Sequence, residues 1–432
     1  MAALQVWGLT LFVAVAAVWS VQYVLRVAPT QPDGALLLST PLAAFQGDPP
    51  VQAVSDWTER RAPLLRASFQ AEIYGELPAV PSGVKTSTRT IDENAFHGAG
   101  RVEEVSLSLA GPSGPIPIDI LMALPRSTAN QPAPVVIAPN FCGNRAALGF
   151  RYKDISQPDW IAERCRTPLG RLTTEVMHGD SIISLPVATL LNAGYAVVTF
   201  SPGQVVPDDP SLAGAAIERL PPSATNGPRV GAIGAWSWSM SRVADFVLAD
   251  RRFDPDRLAL FGHSRFGKAA LLTAALDTRI HAVIANQSGR LGAAPSSDGV
   301  GEPLPSLYGR FPYWFPAETR EAEVQPQSPD QQFLLALIAP RAVLLGGASL
   351  DRWSDPAGAF QSAQTASAAY RLFGAIGLDQ PSMQATNLDA DIACYFRPGG
   401  HGVRRSDWAM AIAFLDRKFA DNGAERGARN LR

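Results

Sequence analysis

The chain has 432 residues, of which 47% are hydrophobic and 18% charged, and its formal net charge is -2. This composition allows a large apolar core, and the near-neutral charge argues against electrostatic binding to nucleic acid or an anionic membrane as the main activity. The three cysteines fit no zinc-binding spacing and the five histidines are widely scattered, so we expect no metal site.

The N-terminal run LQVWGLTLFVAVAAVWSVQYV, at positions 4–24, contains no charged residue. It is near the length of a membrane-spanning helix and long for the apolar part of a secretory signal, and no basic residue precedes it. Apolar residues cover every face, which disfavours an ordinary core helix. We predict that residues 1–27 are a signal peptide or a membrane anchor. Either would place the rest of the chain outside the cytoplasm, as a periplasmic, secreted or membrane-anchored protein.

Residues 28–100 predict an N-terminal extension that wraps the surface, with clusters of Pro, Gly and Asp before a helix near residues 57–71. Two alternating runs follow, Val105–Leu109 and Ile116–Leu124, joined by Gly-Pro-Ser-Gly-Pro. This pattern predicts an antiparallel hairpin at the edge of a sheet.

From residue 134 onward, short apolar runs alternate with helical patterns. The predicted strands are residues 135–138, 195–200, 258–261, 282–285, 342–345 and 392–396, and the predicted helices are residues 182–193, 230–250, 265–276, 356–373 and 406–419. The alternation indicates an α/β fold with a mostly parallel sheet between two helical layers. We therefore expect residues 28–432 to form one α/β domain.

Three long insertions, at residues 139–179, 201–229 and 288–330, follow predicted strand ends. Ligands bind at the carboxyl ends of strands in open parallel sheets, so we expect these insertions to form the rim of a substrate site. Cys142 and Cys165 lie in or beside the first insertion. They could pair in an oxidising compartment or remain free, with Cys394 buried in a strand.

The segment Leu258-Ala-Leu-Phe-Gly-His-Ser-Arg-Phe-Gly-Lys-Ala-Ala270 reads as a strand, a sharp turn and a helix. That layout is typical of a nucleophile elbow and makes Ser264 the candidate nucleophile. The second glycine lies one residue later than in the common G-x-S-x-G pattern. A glycine-punctuated strand–helix junction with a surface serine is the alternative.

A serine nucleophile needs a base and an acid that orients the base. His401 lies in Arg-Pro-Gly-Gly-His-Gly, directly after the last predicted strand, and is the candidate base. Asp351 follows the penultimate strand and is the candidate acid. Asp355 precedes Pro356 and a helix, so it fits an N-cap better. We assign His263 to the wall of the site or to a purely structural role.

Taken together, these motifs resemble the glucuronoyl esterases, a carbohydrate esterase family similar to the α/β-hydrolases. The resemblance covers roughly residues 100–420. The matching motifs are G-x-S-R-x-G-K at 262–268, Gly-Ala-Ile-Gly-Ala-Trp-Ser-Trp at 231–238, Asp-Arg-Trp at 351–353, Gly-Glu at 301–302, Phe-Pro-Tyr-Trp-Phe at 311–315 and the loop of His401.

The resemblance implies cleavage, without a cofactor, of the ester between 4-O-methyl-glucuronic acid on xylan and a lignin alcohol. It makes Ser264 the nucleophile and His401 the base, and it gives Arg265 the role of stabilising the oxyanion. The implied substrate contacts are Lys268 and Glu302 to sugar hydroxyls and Trp353 against the glucuronate. For each of the last four residues an ordinary structural role, such as an ion pair, a surface charge or a core position, is the alternative.

Two departures from the family pattern bear on activity and substrate. Many members carry the triad acid as a Glu where this chain has Gln287, which we also place at the substrate site. The acid role then falls on Asp351. The family usually has a stretch rich in Tyr, Gly and Asp where this chain has Ser-Pro-Gly-Gln-Val-Val-Pro at 201–207. The rim of the site can therefore differ from that of the family, and the substrate can differ with it.

The leading hypothesis is a serine esterase that acts on glucuronic acid esters, with glucuronoxylan or another uronic acid ester as partner and no nucleic-acid partner. A carboxylesterase or deacetylase for a different acyl group is the second hypothesis. The third is a membrane-tethered carbohydrate-binding protein with weak or lost catalysis, which Gln287 favours. We expect a monomer, tethered if the N-terminal segment is retained.

Overall fold

The computed structural model describes residues 38–126, 131–225, 227–296, 300–321 and 328–429. The predicted signal peptide or anchor at residues 1–27 lies outside these ranges. No helix among the described residues is both long and apolar enough to cross a membrane.

Nine strands form one sheet in the order β1-β2-β3-β5-β4-β6-β7-β8-β9. The strands are β1 Val84–Asn94, β2 Gly100–Leu109, β3 Ile116–Pro125, β4 Ala133–Ile137, β5 Ala196–Phe200, β6 Phe253–His263, β7 Ala282–Asn286, β8 Ala342–Ala348 and β9 Ile392–Arg397. The neighbours β1 and β2, β2 and β3, and β3 and β5 pair in antiparallel orientation. The remaining pairs join β5, β4, β6, β7, β8 and β9, and all of them are parallel.

The helical segments lie mainly between the strands. The α-helices are α1 Val54–Asp56, α2 Ala62–Phe69, α3 Ala95–Gly98, α4 Asn144–Ala147, α5 Glu163–Arg166, α6 Pro168–His178, α7 Val187–Asn192, α8 Ala213–Glu218, α9 Ala232–Ala249, α10 Arg265–Leu276, α11 Leu304–Arg310, α12 Ala317–Glu321, α13 Gln331–Ala336, α14 Pro356–Leu372 and α15 Arg405–Arg429. The π-helical segment Trp57–Arg61 joins α1 to α2, and a second one, Gln70–Tyr74, continues α2, so that one helical stretch forms where a helix is predicted.

The parallel part of the sheet buries both of its faces, as predicted for the α/β class. Val135 and Ile137 of β4 pack into one core with residues of α9 and α10, whereas Val136 packs into a second core with Trp408 and Phe414 of α15. Side chains of a strand alternate between faces, so each of these short apolar strands serves two cores. The six predicted strands and the three-layer arrangement are confirmed.

The antiparallel part contains a strand that the sequence reading missed. The hairpin of β2 and β3 forms as predicted, but β1 pairs outside β2 and occupies the edge. The prediction that the hairpin lies at the edge is therefore wrong. The sequence of β1, VKTSTRTIDEN, is polar and mostly exposed, so it lacks the apolar alternation that identifies a strand.

One predicted helix is too long at its start. Residues 182–193 were expected to be helical, but α7 covers only Val187–Asn192, with Pro186 as its N-cap. A proline has no N–H to donate and disfavours helical geometry at the residue before it, so the helix cannot extend back through Pro186.

A disulfide joins Cys142, in the loop after β4, to Cys165 of α5. Of the two alternatives for these cysteines, the structure has the paired one, and Cys394 is buried in β9 as expected. The bond closes a loop within the first insertion, between its start beside the end of β4 and α5.

Candidate active site

The turn between β6 and α10 presents Ser264. Its backbone has φ 56° and ψ -125°, outside the regions that non-glycine residues usually adopt. The Ser264 N–H donates to the Asn286 carbonyl at 2.9 Å, which fixes the turn to β7. A side chain at Gly262 would collide with the backbone of Phe266, so this position needs a glycine. The serine thus lies in a strained strand–helix turn with the geometry of a nucleophile elbow.

His401 and Asp351 are in direct contact. The ring atom Nδ1 lies 2.7 Å from Asp351 Oδ2, and the Ser354 hydroxyl lies 3.2 Å from the same nitrogen. Burial by itself would raise the pKa of Asp351. The charge of a protonated His401 and hydrogen bonds from His401 and Ser354 outweigh burial and hold that pKa below its ordinary value. With Nδ1 engaged, the other ring nitrogen is left for proton transfer.

A cavity of about 580 Å³ opens over Ser264 and His401. Its lining includes every residue assigned to the site from sequence: Ser264, Arg265, Lys268, Gln287, Glu302, Asp351, Trp353 and His401. Among the described side chains, no hydrogen bond yet joins Ser264 to the His401 ring. Such contacts are often long before substrate binds, so the arrangement is compatible with general-base catalysis.

Arg265 lines this cavity while also forming an ion pair with Asp208. Its guanidinium lies 4.8 Å from the centre of the Trp314 ring. Asp208 also accepts hydrogen bonds from the Tyr313 hydroxyl at 2.7 Å and from Trp314 Nε1 at 3.0 Å. The buried Arg265 Nε–H has no hydrogen-bond partner among the described residues. Sequence reasoning missed Asp208, since an acidic residue in a polar loop carries no distinguishing signal.

Lys268 is buried, and its ammonium group donates to the carbonyl of Ser288 at 2.7 Å and to the carbonyl of Arg290. Burial lowers the pKa of Lys268 to about 8. Glu302 is also buried, with its carboxylate 3.9 Å from Arg310. The cavity wall thus presents a buried ammonium group, which can donate hydrogen bonds, and a buried carboxylate, which can accept them.

Trp353 completes this side of the cavity, and the Arg310 guanidinium lies 5.8 Å from the centre of its ring. An indole beside a cavity offers a flat apolar surface and one N–H donor. Asp355, four residues after Asp351, caps α14 by accepting from the Gly358 N–H at 2.9 Å, as the sequence predicts.

Gln287 uses its amide to hold the loop of His401. Its Oε1 accepts from the Gly402 N–H at 2.7 Å, and its Nε2 donates to the Gly400 carbonyl at 3.5 Å. The two partners lie on either side of His401 in sequence. Gln287 also lines the cavity, but both hydrogen-bonding atoms of its amide are directed to this loop.

Two other histidines lie close to His401. His263 is buried, which holds its pKa well below the ordinary value, and its ring centre lies 4.6 Å from that of His401. His178, which the sequence reading did not select, lies 3.1 Å through Nδ1 from the His401 carbonyl oxygen. Among the described residues, no group of His, Cys, Asp or Glu side chains is arranged to hold a metal ion.

Comparison with known proteins identifies the family. The family model described as glucuronyl esterase, fungi, matches residues 176–374. Carbohydrate esterase MZ0003, from an unknown prokaryotic organism, is 31% identical over 401 residues, which cover 90% of each chain. The chain belongs to the glucuronoyl esterase family.

The comparisons agree with the predicted resemblance in both sequence and fold. The solved glucuronoyl esterase from Solibacter usitatus superimposes with a TM-score of 0.75 at 29% identity, covering 90% of this chain and 99% of that one. The 4-O-methyl-glucuronoyl methylesterase 1 of Phanerochaete chrysosporium is 27% identical over 218 residues, covering 46% of this chain and 42% of that protein. This family member therefore has the α/β-hydrolase fold, and the family consists of carboxylic ester hydrolases.

Proposed function

We propose that this family member hydrolyses glucuronic acid esters, including 4-O-methyl-glucuronoyl esters, through an acyl-enzyme. The observation that carries the proposal is the contact between buried Asp351 and His401 in the cavity that Ser264 lines. The relatives support it as well: one is a carbohydrate esterase, and another is a 4-O-methyl-glucuronoyl methylesterase, which supports a glucuronoyl group as the acyl half.

In the proposed mechanism, His401 takes the proton of the Ser264 hydroxyl as its oxygen attacks the ester carbonyl carbon. The negative charge that develops on the carbonyl oxygen is stabilised by Arg265 and by backbone N–H groups at the start of α10. The C–O bond to the alcohol then breaks, and the alcohol oxygen receives the proton from His401. Water, activated by the same ring, cleaves the acyl-enzyme and releases the acid and free Ser264.

The acid half of the substrate is neutral while it is esterified, so it needs recognition of hydroxyl groups rather than of a carboxylate. Lys268 and Glu302 provide a donor and an acceptor on one wall of the cavity. Trp353 provides the flat surface against which a pyranose ring packs. These three assignments remain predictions, and the buried opposite charges support them.

A non-catalytic carbohydrate-binding role was favoured by Gln287 in place of a family acid. The 2.7 Å contact between Asp351 and His401 supplies a carboxylate from a different loop and argues for catalysis. A carboxylesterase or deacetylase with another acyl group would use the same three residues. Only its substrate preference would differ.

We further propose that the enzyme works outside the cytoplasm as a single α/β domain spanning residues 28–432. The disulfide between Cys142 and Cys165 supports an oxidising compartment, because such bonds rarely persist in the cytosol. The single nine-stranded sheet supports one domain. A membrane tether at residues 1–27 and a monomeric state also remain predictions.

The experiment compares benzyl glucuronate with p-nitrophenyl acetate for the wild type, Ser264→Ala and Ser55→Ala. Ser55 is exposed on α1 and serves as the matched control. We expect the wild type and the control to release glucuronic acid and Ser264→Ala to be inactive. Equal rates for the wild type and Ser264→Ala would overturn the mechanism. Turnover of p-nitrophenyl acetate without turnover of benzyl glucuronate would instead support the carboxylesterase alternative.

A further inference from the structure

Helix α6, which belongs to the first insertion, makes little apolar contact with the rest of the chain. Thr174 is the only buried residue of this helix. Its large apolar side chains are mostly exposed, namely Leu169, Leu172, Val176 and Met177. Hydrophobic burial therefore contributes little to holding α6 against the domain. Polar and covalent contacts at its two ends fix its position instead.

At its start, α6 is attached to the disulfide-bonded loop. The Thr167 hydroxyl accepts from the Gly170 N–H at 3.0 Å and caps the helix, and Arg171 donates to the Cys165 carbonyl at 3.1 Å. Cys165 is in turn bonded to Cys142. The first turn of α6 is thus linked, through one covalent bond, to the segment that leaves β4.

At its end, α6 pairs with the loop after β9 that carries the candidate base. The Val403 N–H donates to the His178 carbonyl at 2.7 Å, and the Ser181 N–H donates to the Val403 carbonyl at 3.0 Å. A side chain at Gly402 would overlap the His178 carbonyl, and one at Gly179 would overlap the Val403 carbonyl. These two glycines therefore allow the two main chains to approach each other this closely.

The ring of His178 also contacts the residue of the base itself. Its Nδ1 lies 3.1 Å from the His401 carbonyl oxygen. A carbonyl oxygen can only accept, so this nitrogen carries the hydrogen of the bond. Burial lowers the pKa of His178, and the hydrogen bond to His401 only partly offsets this effect, so the ring is neutral at neutral pH. Because the ring also lines the large cavity, two roles are open to it, contact with substrate and support of His401.

We propose that His178 is a positioning residue that holds the catalytic base in place, an inference that rests on the proposed function. The free ring nitrogen of His401 must reach the Ser264 hydroxyl, while Nδ1 is already held by Asp351 at 2.7 Å. The contact with Asp351 constrains one edge of the ring. The remaining freedom of the ring is that of the main chain that carries it.

His178 and Gln287 hold the same peptide group of that main chain. The His401 carbonyl and the Gly402 N–H belong to one planar peptide. The carbonyl accepts from His178, and the N–H donates to Gln287 Oε1 at 2.7 Å. A glycine places few steric limits on its own φ, so without these contacts the peptide would rotate easily. Contacts from two separate elements, α6 and the end of β7, thus fix the peptide next to the His401 side chain.

The test measures kcat and KM on benzyl glucuronate for the wild type, His178→Leu, His178→Asn and Val176→Ala. Leu keeps much of the bulk of the ring but has no donor, whereas Asn places an N–H close to the position of Nδ1. Val176 lies on the same helix, is 74% exposed and serves as the matched control. We expect His178→Leu to lower kcat at least tenfold at unchanged KM, His178→Asn to recover most of that loss, and the control to match the wild type.

A spectroscopic signal separates positioning from folding. The proton between His401 Nδ1 and Asp351 gives a proton NMR resonance downfield of the backbone amides, and this resonance reports the geometry of that hydrogen bond. We expect it to shift or broaden in His178→Leu and to return in His178→Asn. Thermal unfolding of both variants should stay close to that of the wild type.

The outcomes distinguish this role from its alternatives. Wild-type kcat and KM in His178→Leu would refute the positioning role, and a raised KM at unchanged kcat would show that His178 contacts substrate instead. A loss of kcat that His178→Asn does not recover would also count against it, because the hydrogen bond would not be the cause. In each of these cases the wild type still cleaves the ester, so the proposed function stands. If the wild type cleaves no ester, both proposals fall.

Discussion

Replacement of Asp351 by Asn tests the proposal that Asp351 is the acid that orients and stabilises His401. The carboxylate is buried and lies 2.7 Å from His401 Nδ1. An amide can still accept one hydrogen bond but carries no charge. It should leave the fold and the position of the ring nearly intact while removing the electrostatic support for the imidazolium that forms when Ser264 loses its proton.

The size of the effect follows from this geometry. Two unit charges about 4 Å apart, at an effective dielectric constant of about 20, attract by about 4 kcal/mol. Each 1.4 kcal/mol or so of lost transition-state stabilisation lowers a rate about tenfold, so kcat should fall about a thousandfold. A change of ring tautomer in Asp351→Asn would lower it further.

The assay measures kcat and KM on benzyl glucuronate, with thermal unfolding as a check on folding. Asp355→Asn is the matched control: Asp355 is a buried neighbour that caps α14 and does not line the cavity over Ser264. Because Asn is also a good N-cap, this control should retain near wild-type kcat. A benign Asp351→Asn together with an inactive Asp355→Asn would show that the acid has been assigned to the wrong residue.

The other predictions concern the residues around the triad. Burial lowers the pKa of Lys268 to about 8, so its charge is lost at lower pH than for an ordinary lysine. KM for glucuronate esters should therefore rise about tenfold between pH 7 and 9, and a pH-independent KM that Lys268→Met leaves unchanged would exclude this residue from binding. Gln287→Leu removes both contacts to the loop of His401 and should lower kcat about tenfold at constant KM, whereas a rise in KM alone would favour the original substrate-binding assignment. Asp208→Asn removes the ion pair that orients Arg265 and should also lower kcat about tenfold, and an unchanged kcat would mean that Arg265 is positioned without it.

The sequence predicted the parts of the fold that are governed by repeating patterns. The six parallel strands are short apolar runs, and burial on both faces makes such runs conspicuous. The elbow at Ser264 and the loop of His401 were visible because glycines mark tight backbone turns. Asp351 was selected as the candidate acid because chain order and strand position restrict where such a residue can lie, and the structure places it in contact with His401.

The features that were missed depend on contacts between distant segments. β1 is an exposed polar strand, and its pairing with β2 leaves no apolar signature. Asp208 and His178 come from insertions whose paths do not follow from local pattern. The contacts of Gln287 with Gly400 and Gly402 could not be predicted either, because the direction of its side chain depends on a backbone φ of 52°.

The order of the strands also bears on how such enzymes diverge. β8 lies between β7 and β9, so the segments after β7 and β8 both reach the loop that follows β9. Here one supplies a carboxylate to the imidazole through Asp351 and the other supplies an amide to the adjoining main chain through Gln287. A carboxylate on either segment would lie beside this loop, and the order of the strands would be the same in both arrangements. A motif search that requires it at a single alignment column would misclassify such a chain as inactive.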